Sequence, residues 1–243
     1  MPAEGWFGCR TRTTAIDPGG AVPHNPFSVK TPTFLLSAFL AGALLAASQA
    51  APPDNSREAK AVIQAALADF DAKKYDDALA KLRALDAKMP DDPFVQNLIG
   101  AAYTKKKDYA AAQKYFDKSL EKAPDFFPAK FNVGELFFLQ RNYPEALKHF
   151  RQMQQQDPQN ELLQFKAFLC LLQLGNKEEA AKALKGIKYP GDTPAYYYGQ
   201  AAWASKNGDN KKAIGYVTGA HYIFGPKTAL FDETFDDLGI NLR

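Results

Sequence analysis

Residues 107–125 read "KDYAAAQKYFDKSLEKAPD", and residues 141–159 read "RNYPEALKHFRQMQQQDPQ". Few letters coincide, but the frame does: Tyr109 and Tyr143, Ala112 and Ala146, Phe116 and Phe150, Pro124 and Pro158. The same columns occur earlier at Tyr75, Ala78, Leu82 and Pro90, so each step is 34 residues. Upstream, a small residue stands at Ala66, Gly100 and Gly134, with an aromatic three places later at Tyr103 and Phe137. A fixed period of this length marks stacked supersecondary units rather than an active site.

Within each period the spacing predicts two helices and a tight turn. In the second copy Ile99, Gly100 and Tyr103 fall on one stripe of the first helix. Ala112, Phe116 and Ser119 fall on one stripe of the second. Gly or Ala suits the point where two backbones approach most closely, and the aromatic fills the space beside it. Asp108 and Asn142 stand where an N-cap side chain accepts a backbone N–H. Pro144 occupies an early helical position, where its missing donor costs nothing, and Pro90, Pro124 and Pro158 stop the second helices.

These columns resemble the tetratricopeptide repeat, whose small residue, aromatic, Ala-x3-Phe and Pro they match. The resemblance is strong over 93–126 and 127–160 and good over 59–92. It weakens over 161–193, where Phe168 replaces the small residue while Leu171, Ala180 and Leu184 keep the frame. After a step of 33 it continues over 194–227 with Trp203, Ala213 and Val217. It implies an all-α, right-handed superhelical solenoid of five hairpins. One hairpin cannot bury its apolar face alone, so neighbours must stack on it. The last stretch, residues 228–243, spaces Phe231, Phe235 and Leu238 on one face with acids between. It is expected to form a capping helix; the alternative is a detachable segment for a partner or for the protein's own groove.

Composition narrows the class. Of 243 residues 46% are hydrophobic and 23% charged, as in globular chains, and the net charge of +3 leaves no basic footprint for nucleic acid. Lys105, Lys106 and Lys107 read as the solvated end of a helix. Residues 1–50 are expected to be an N-terminal extension and signal peptide. Lys30, the apolar run 34–47 and Ser48-Gln49-Ala50 give a basic region, a hydrophobic region and a small-x-small cleavage pattern. Fourteen helical residues rise only about 21 Å, short of the ~30 Å hydrocarbon core of a bilayer. Cleavage is expected after Ala50, with 51–58 a linker, and no Cys follows the apolar run as a lipoprotein signal requires. Residues 1–29 lack periodicity, and Val29 offers an alternative start. The expected destination is the periplasm or the exterior, with no membrane span after cleavage.

No catalytic, cofactor or metal motif emerges. After processing only His149, His221 and Cys170 remain as soft ligands, in three different units, and no phosphate loop, G-x-S-x-G or H-E-x-x-H occurs. Asp76-Asp77 and Glu178-Glu179 stand at helix starts, opposing the positive dipole end. Cys170, within "FLCLLQL", reads as a small hydrophobe, and His149 as a surface or half-buried histidine.

The resemblance directs attention to the groove instead. In this family the first helix of each unit lines the concave face at its second, fifth, ninth, twelfth and thirteenth positions. Carried over by register, these positions name Phe70, Phe94, Asn97, Phe131, Glu135, Phe138, Phe165, Leu169 and Tyr198, with Ile63, Leu67, Ala101, Lys105, Leu172 and Ser205 beside them. Chaperone-binding members clamp a carboxylate with Lys and Asn there; here only Asn97 and Lys105 are of that kind. The implied groove is apolar and aromatic, fit for an extended or helical hydrophobic segment of a protein or peptide partner. The reading is a non-enzymatic scaffold or adaptor without cofactor. The alternative is a module for a small hydrophobic or peptide ligand, closed by the C-terminal helix.

Overall fold

Paired helices follow one another along the chain at the expected period. The structure, a computed structural model, describes residues 54–242. The expected leader and its cleavage site lie outside the described residues, as does the start of the linker. Helices α1 (Asp54–Asp71) and α2 (Tyr75–Lys88) form the first pair, and α3 (Pro93–Lys105) and α4 (Tyr109–Lys122) the second. The third is α5 (Phe127–Leu139) with α6 (Tyr143–Gln156), and the fourth α7 (Glu161–Gln173) with α8 (Lys177–Gly186). Helices α9 (Ala195–Lys206) and α10 (Asn210–Phe224) complete five. A 3-10 segment, Gly225–Thr228, leads to α11, Ala229–Leu238. Among the described residues there is no strand. The second part of the expected linker, 54–58, is already helical.

The turns inside the pairs are copies of one another. Lys73, Lys107, Arg141, Gly175 and Gly208 all have positive φ, between 58° and 83°. In each, the next amide donates to a carbonyl five residues back, as Asp108 N does to Tyr103 O at 3.0 Å and Asn142 N to Phe137 O at 2.9 Å. This left-handed ending satisfies the last carbonyls of the first helix and reverses the chain. Side chains then cap several second helices: Asp108, Asn176 and Asp209 accept from Ala111, Glu179 and Lys212 amides. Asn142 departs from its expected role, since its side chain makes no cap bond, and Pro144 opens that helix instead.

The seam inside each pair explains the small-residue column. A Cβ on Gly100 would lie 2.5 Å from the Phe116 ring, and one on Gly134 2.7 Å from Phe150. Both rings are fully buried, so the missing methyl is what lets each phenylalanine seat. His149 sits on the same seam. It is half-buried between Phe137 and Phe150, and its Nε2–H donates to Lys130 O at 2.7 Å. Burial lowers the pKa of His149 and keeps the ring neutral.

The core thickens toward the C-terminal half. In α7, eleven of thirteen residues are buried, which a helix covered only by its neighbours in a single layer does not achieve. Its extra cover is α11.

Candidate functional site

Helix α11 lies against α7 and α9, the first helices of the last two units, and borders α3 and α5. The acidic sequence "ALFDETFDDL" makes α11 amphipathic, with Phe231, Thr234 and Phe235 buried. Phe231 packs on Phe165 of α7 at 5.1 Å between ring centres and on Tyr198 of α9 at 5.3 Å. Phe235 meets Tyr198 edge-on at 4.9 Å. The helix thus covers apolar side chains of the last two units.

Polar side chains hold it from three sides. Lys105 at the end of α3 forms an ion pair with Glu233. Lys166 of α7, fully buried, reaches Thr234 Oγ1 at 2.9 Å and Glu135 Oε2 at 2.7 Å. The Tyr198 hydroxyl donates to Asp232 Oδ1, to which His221 Nε2–H also donates at 2.9 Å. Burial first, and then the Asp232 carboxylate, push the Tyr198 phenol well above its usual range, so it remains a donor. Asp237 faces Glu233 and Glu135; burial and these like charges raise its carboxyl pKa against the opposing pull of Lys105 and Lys166.

Beneath α11 lies a cavity of about 150 Å³, bordered by α3, α5, α7 and α11. Its apolar walls include Ala101, Phe127, Phe131, Leu139, Leu162 and Leu230. Its polar edge includes Asn132, Glu135 and Asp237. Glu135 Oε1 and Asn97 Nδ2 are buried without a hydrogen-bond partner. That is uncommon, because an unpaired buried polar atom carries its full desolvation penalty.

The nine groove residues do not share one environment. Phe131 and Glu135 line the cavity, and Phe165 and Tyr198 form the seat of α11. Phe138 lies next to them, buried, with Lys166 Nζ 4.9 Å from its ring centre. Asn97 is fully buried and accepts from Asn132 Nδ2 at 2.9 Å. Leu169 is sealed in the core and offers no surface. At the other end Phe70 is buried against Tyr75, while Phe94 stays half-buried beside Phe126. Of the nine, only Phe94 and Glu135 are more than marginally exposed.

Sequence reading missed Lys166, His221, Asp232 and Thr234. For Lys166 a signal existed: it is the lone cation in "ELLQFKAFLCLLQ", a helix that is otherwise largely apolar. The other three act only through contacts between distant segments. Cys170 is buried, and burial, with Glu135 nearby, pushes its thiol up to about 12, so it is not a nucleophile at neutral pH. Among the described residues no group of three His, Cys, Asp or Glu is placed to hold a metal ion. None of their helices is long and apolar enough to cross a membrane.

Two profiles of the tetratricopeptide repeat family match the sequence, one over residues 63–125 and 97–161, the other over 137–203. No match was found among curated proteins. Solved structures agree in fold. A tetratricopeptide repeat protein from Parabacteroides merdae is 17% identical with a TM-score of 0.61, over 72% of this chain and 69% of that one. A thermophilic protein of the same kind from Thermus thermophilus is 16% identical with a TM-score of 0.60, over 74% and 98%. MamA from Desulfovibrio magneticus RS-1 is 20% identical with a TM-score of 0.53, over 71% and 97%. At these identities the likeness is one of fold alone.

Proposed function

The chain belongs to the tetratricopeptide repeat family, and from that premise we propose that it is a non-enzymatic scaffold holding a partner protein in its concave groove. Repeats of this family typically bind protein partners, and the surface they offer is the one formed here by α1, α3, α5, α7 and α9. The observation that carries the reading is α11 itself. An amphipathic helix is seated on that surface by two aromatic side chains, so the groove has the width and chemistry for one. The groove it leaves free lies around the half-buried Phe94 and Phe127, at the edge of the cavity, and a partner segment enters there. The leader pattern at 30–50 supports an exported protein, working in the periplasm or outside the cell.

Site-specific photo-crosslinking tests the reading. A crosslinking amino acid at Ala101 or Phe127 in the full chain should capture one defined partner, and the yield should fall in Phe94→Ser. The same probe at Gln113 or Lys114, on a second helix, should not capture it. Capture from the second helices only would refute the groove.

A second reading has its own observation. The cavity of about 150 Å³ under α11 is the size that accepts a single benzene-like ring when its walls are apolar. A small hydrophobic ligand closed in by α11 would appear in native mass spectrometry as a mass increment that Phe131→Trp abolishes.

A further inference from the structure

The floor beneath α11 is furnished like a surface that sometimes meets water. Lys166 and Glu135 form an ion pair there, although a sealed interface gains nothing from a buried pair that apolar residues of similar volume would not supply. Glu135 Oε1, in the cavity lining that α11 shares, has no partner while the helix is seated and would be solvated once it left. The fit is also incomplete, since a cavity remains between α11 and parts of α3 and α5 beside the Lys105–Glu233 pair.

The connection permits departure. Gly225, which follows α10 and opens the 3-10 segment, has φ 53° and ψ −127°, a combination open to glycine. A rotation there moves α11 without disturbing the five hairpins. Charge fits the same picture: α11 carries Asp232, Glu233, Asp236 and Asp237 and no basic residue, while the floor presents Lys105 and Lys166.

We propose that α11 is an intramolecular stand-in for the partner. The floor that runs from Lys105 of unit two to Tyr198 of unit five takes an acidic amphipathic helix with two aromatic residues four apart, and α11 yields its place to it. This rests on the scaffold reading above and adds the partner's chemistry and the regulation of the groove. A tethered helix competes at an effective concentration on the order of millimolar, so a free helix of the same pattern binds weakly until it is locally abundant or until α11 is released. The partner's apparent affinity is scaled by the fraction of molecules with α11 undocked.

The test uses a fluorescein-labelled peptide of residues 226–243, "PKTALFDETFDDLGINLR", titrated with the full chain and read by anisotropy. Phe231→Ala/Phe235→Ala in the full chain should bind it about tenfold or more tighter than the wild type, because its own competitor is disabled. A peptide carrying the same two alanines should bind neither. Circular dichroism checks that the variant keeps its helices. If it does not, Asp232→Asn/Glu233→Gln removes two polar holds, leaves both aromatics in place and should show a smaller gain. Equal affinity of wild type and variant, or no saturable binding to either, overturns the proposal. A concentration-dependent wild-type dimer that the peptide dissociates would overturn it in favour of a second copy of this chain. Crosslinking from Ala101 and Phe127 reports separately on the scaffold reading. A groove-bound partner whose capture is unchanged in Phe231→Ala/Phe235→Ala sinks only the stand-in, and peptide binding without any groove partner sinks only the scaffold.

Discussion

The seam between paired helices and the floor under α11 are both built around phenylalanine, but they hold by different means. At the seam Phe116 and Phe150 press onto the backbones of Gly100 and Gly134, and the polar group beside them, His149, is satisfied by Lys130 O. On the floor Phe231 and Phe235 are joined by Lys166–Glu135, Lys105–Glu233 and the Tyr198–His221–Asp232 cluster, over an unfilled cavity. Close packing with its polar group satisfied suits a joint that never opens. Paired charges, an unsatisfied carboxylate oxygen and a void suit one that does.

That contrast can be broken most forcefully at the seam. Phe150→Ala should cost about 3–5 kcal/mol in urea denaturation, the usual range for emptying a fully buried phenylalanine site. A loss no larger than that of a floor mutation would end the distinction. Next in size is Phe231→Ala/Phe235→Ala. In a rigid core two such changes would add, but here the loss saturates once α11 detaches, so both together should cost less than ~3 kcal/mol, below the ~3–5 expected for each alone in a core. The hairpins should melt nearly as before.

A turn sharpens the comparison in the stabilising direction. Arg141 has φ 60° where Gly175 and Gly208 occupy the matching turns. Arg141→Gly should therefore stabilise the array by about 1 kcal/mol, the strain a side chain carries in the left-handed region. The smallest effect belongs to the floor. Asp237 is raised by burial and by Glu233, so its folded pKa lies above its unfolded one. Its contribution to docking is fully present below the ordinary carboxylate range and is lost as pH rises through the raised value. Asp237→Asn should equal the wild type in acid and exceed it at neutral pH by a few tenths of a kcal/mol, ~0.2–0.5 after solvent screening.

What could be read from the sequence follows the same division. The seam is local and repeated, so Tyr, Ala, Phe and Pro at steps of 34 disclose the pairs and their boundaries. The left-handed turns were also written there, since Gly175 and Gly208 share a column with Lys73, Lys107 and Arg141, but three long polar side chains hide the glycine's meaning. Register named Phe165 and Tyr198 as groove residues. It could not name their occupant, because Lys105 and Glu233 meet across more than half the chain, and no local pattern encodes such a contact. Lys166 alone announced itself, as the one cation in a largely apolar helix. Asn142 shows the reverse failure, a residue of the right type at the right position whose side chain makes no cap.

Hydrogen exchange on the full chain tests the central claim most directly. If α11 is a detachable occupant, the amides of 229–238 open together and exchange about a hundredfold or more faster than those of α7 and α9, on which it lies. Protection of α11 equal to that of α7, lost only when the whole array unfolds, would contradict the account and make the helix a permanent part of the core.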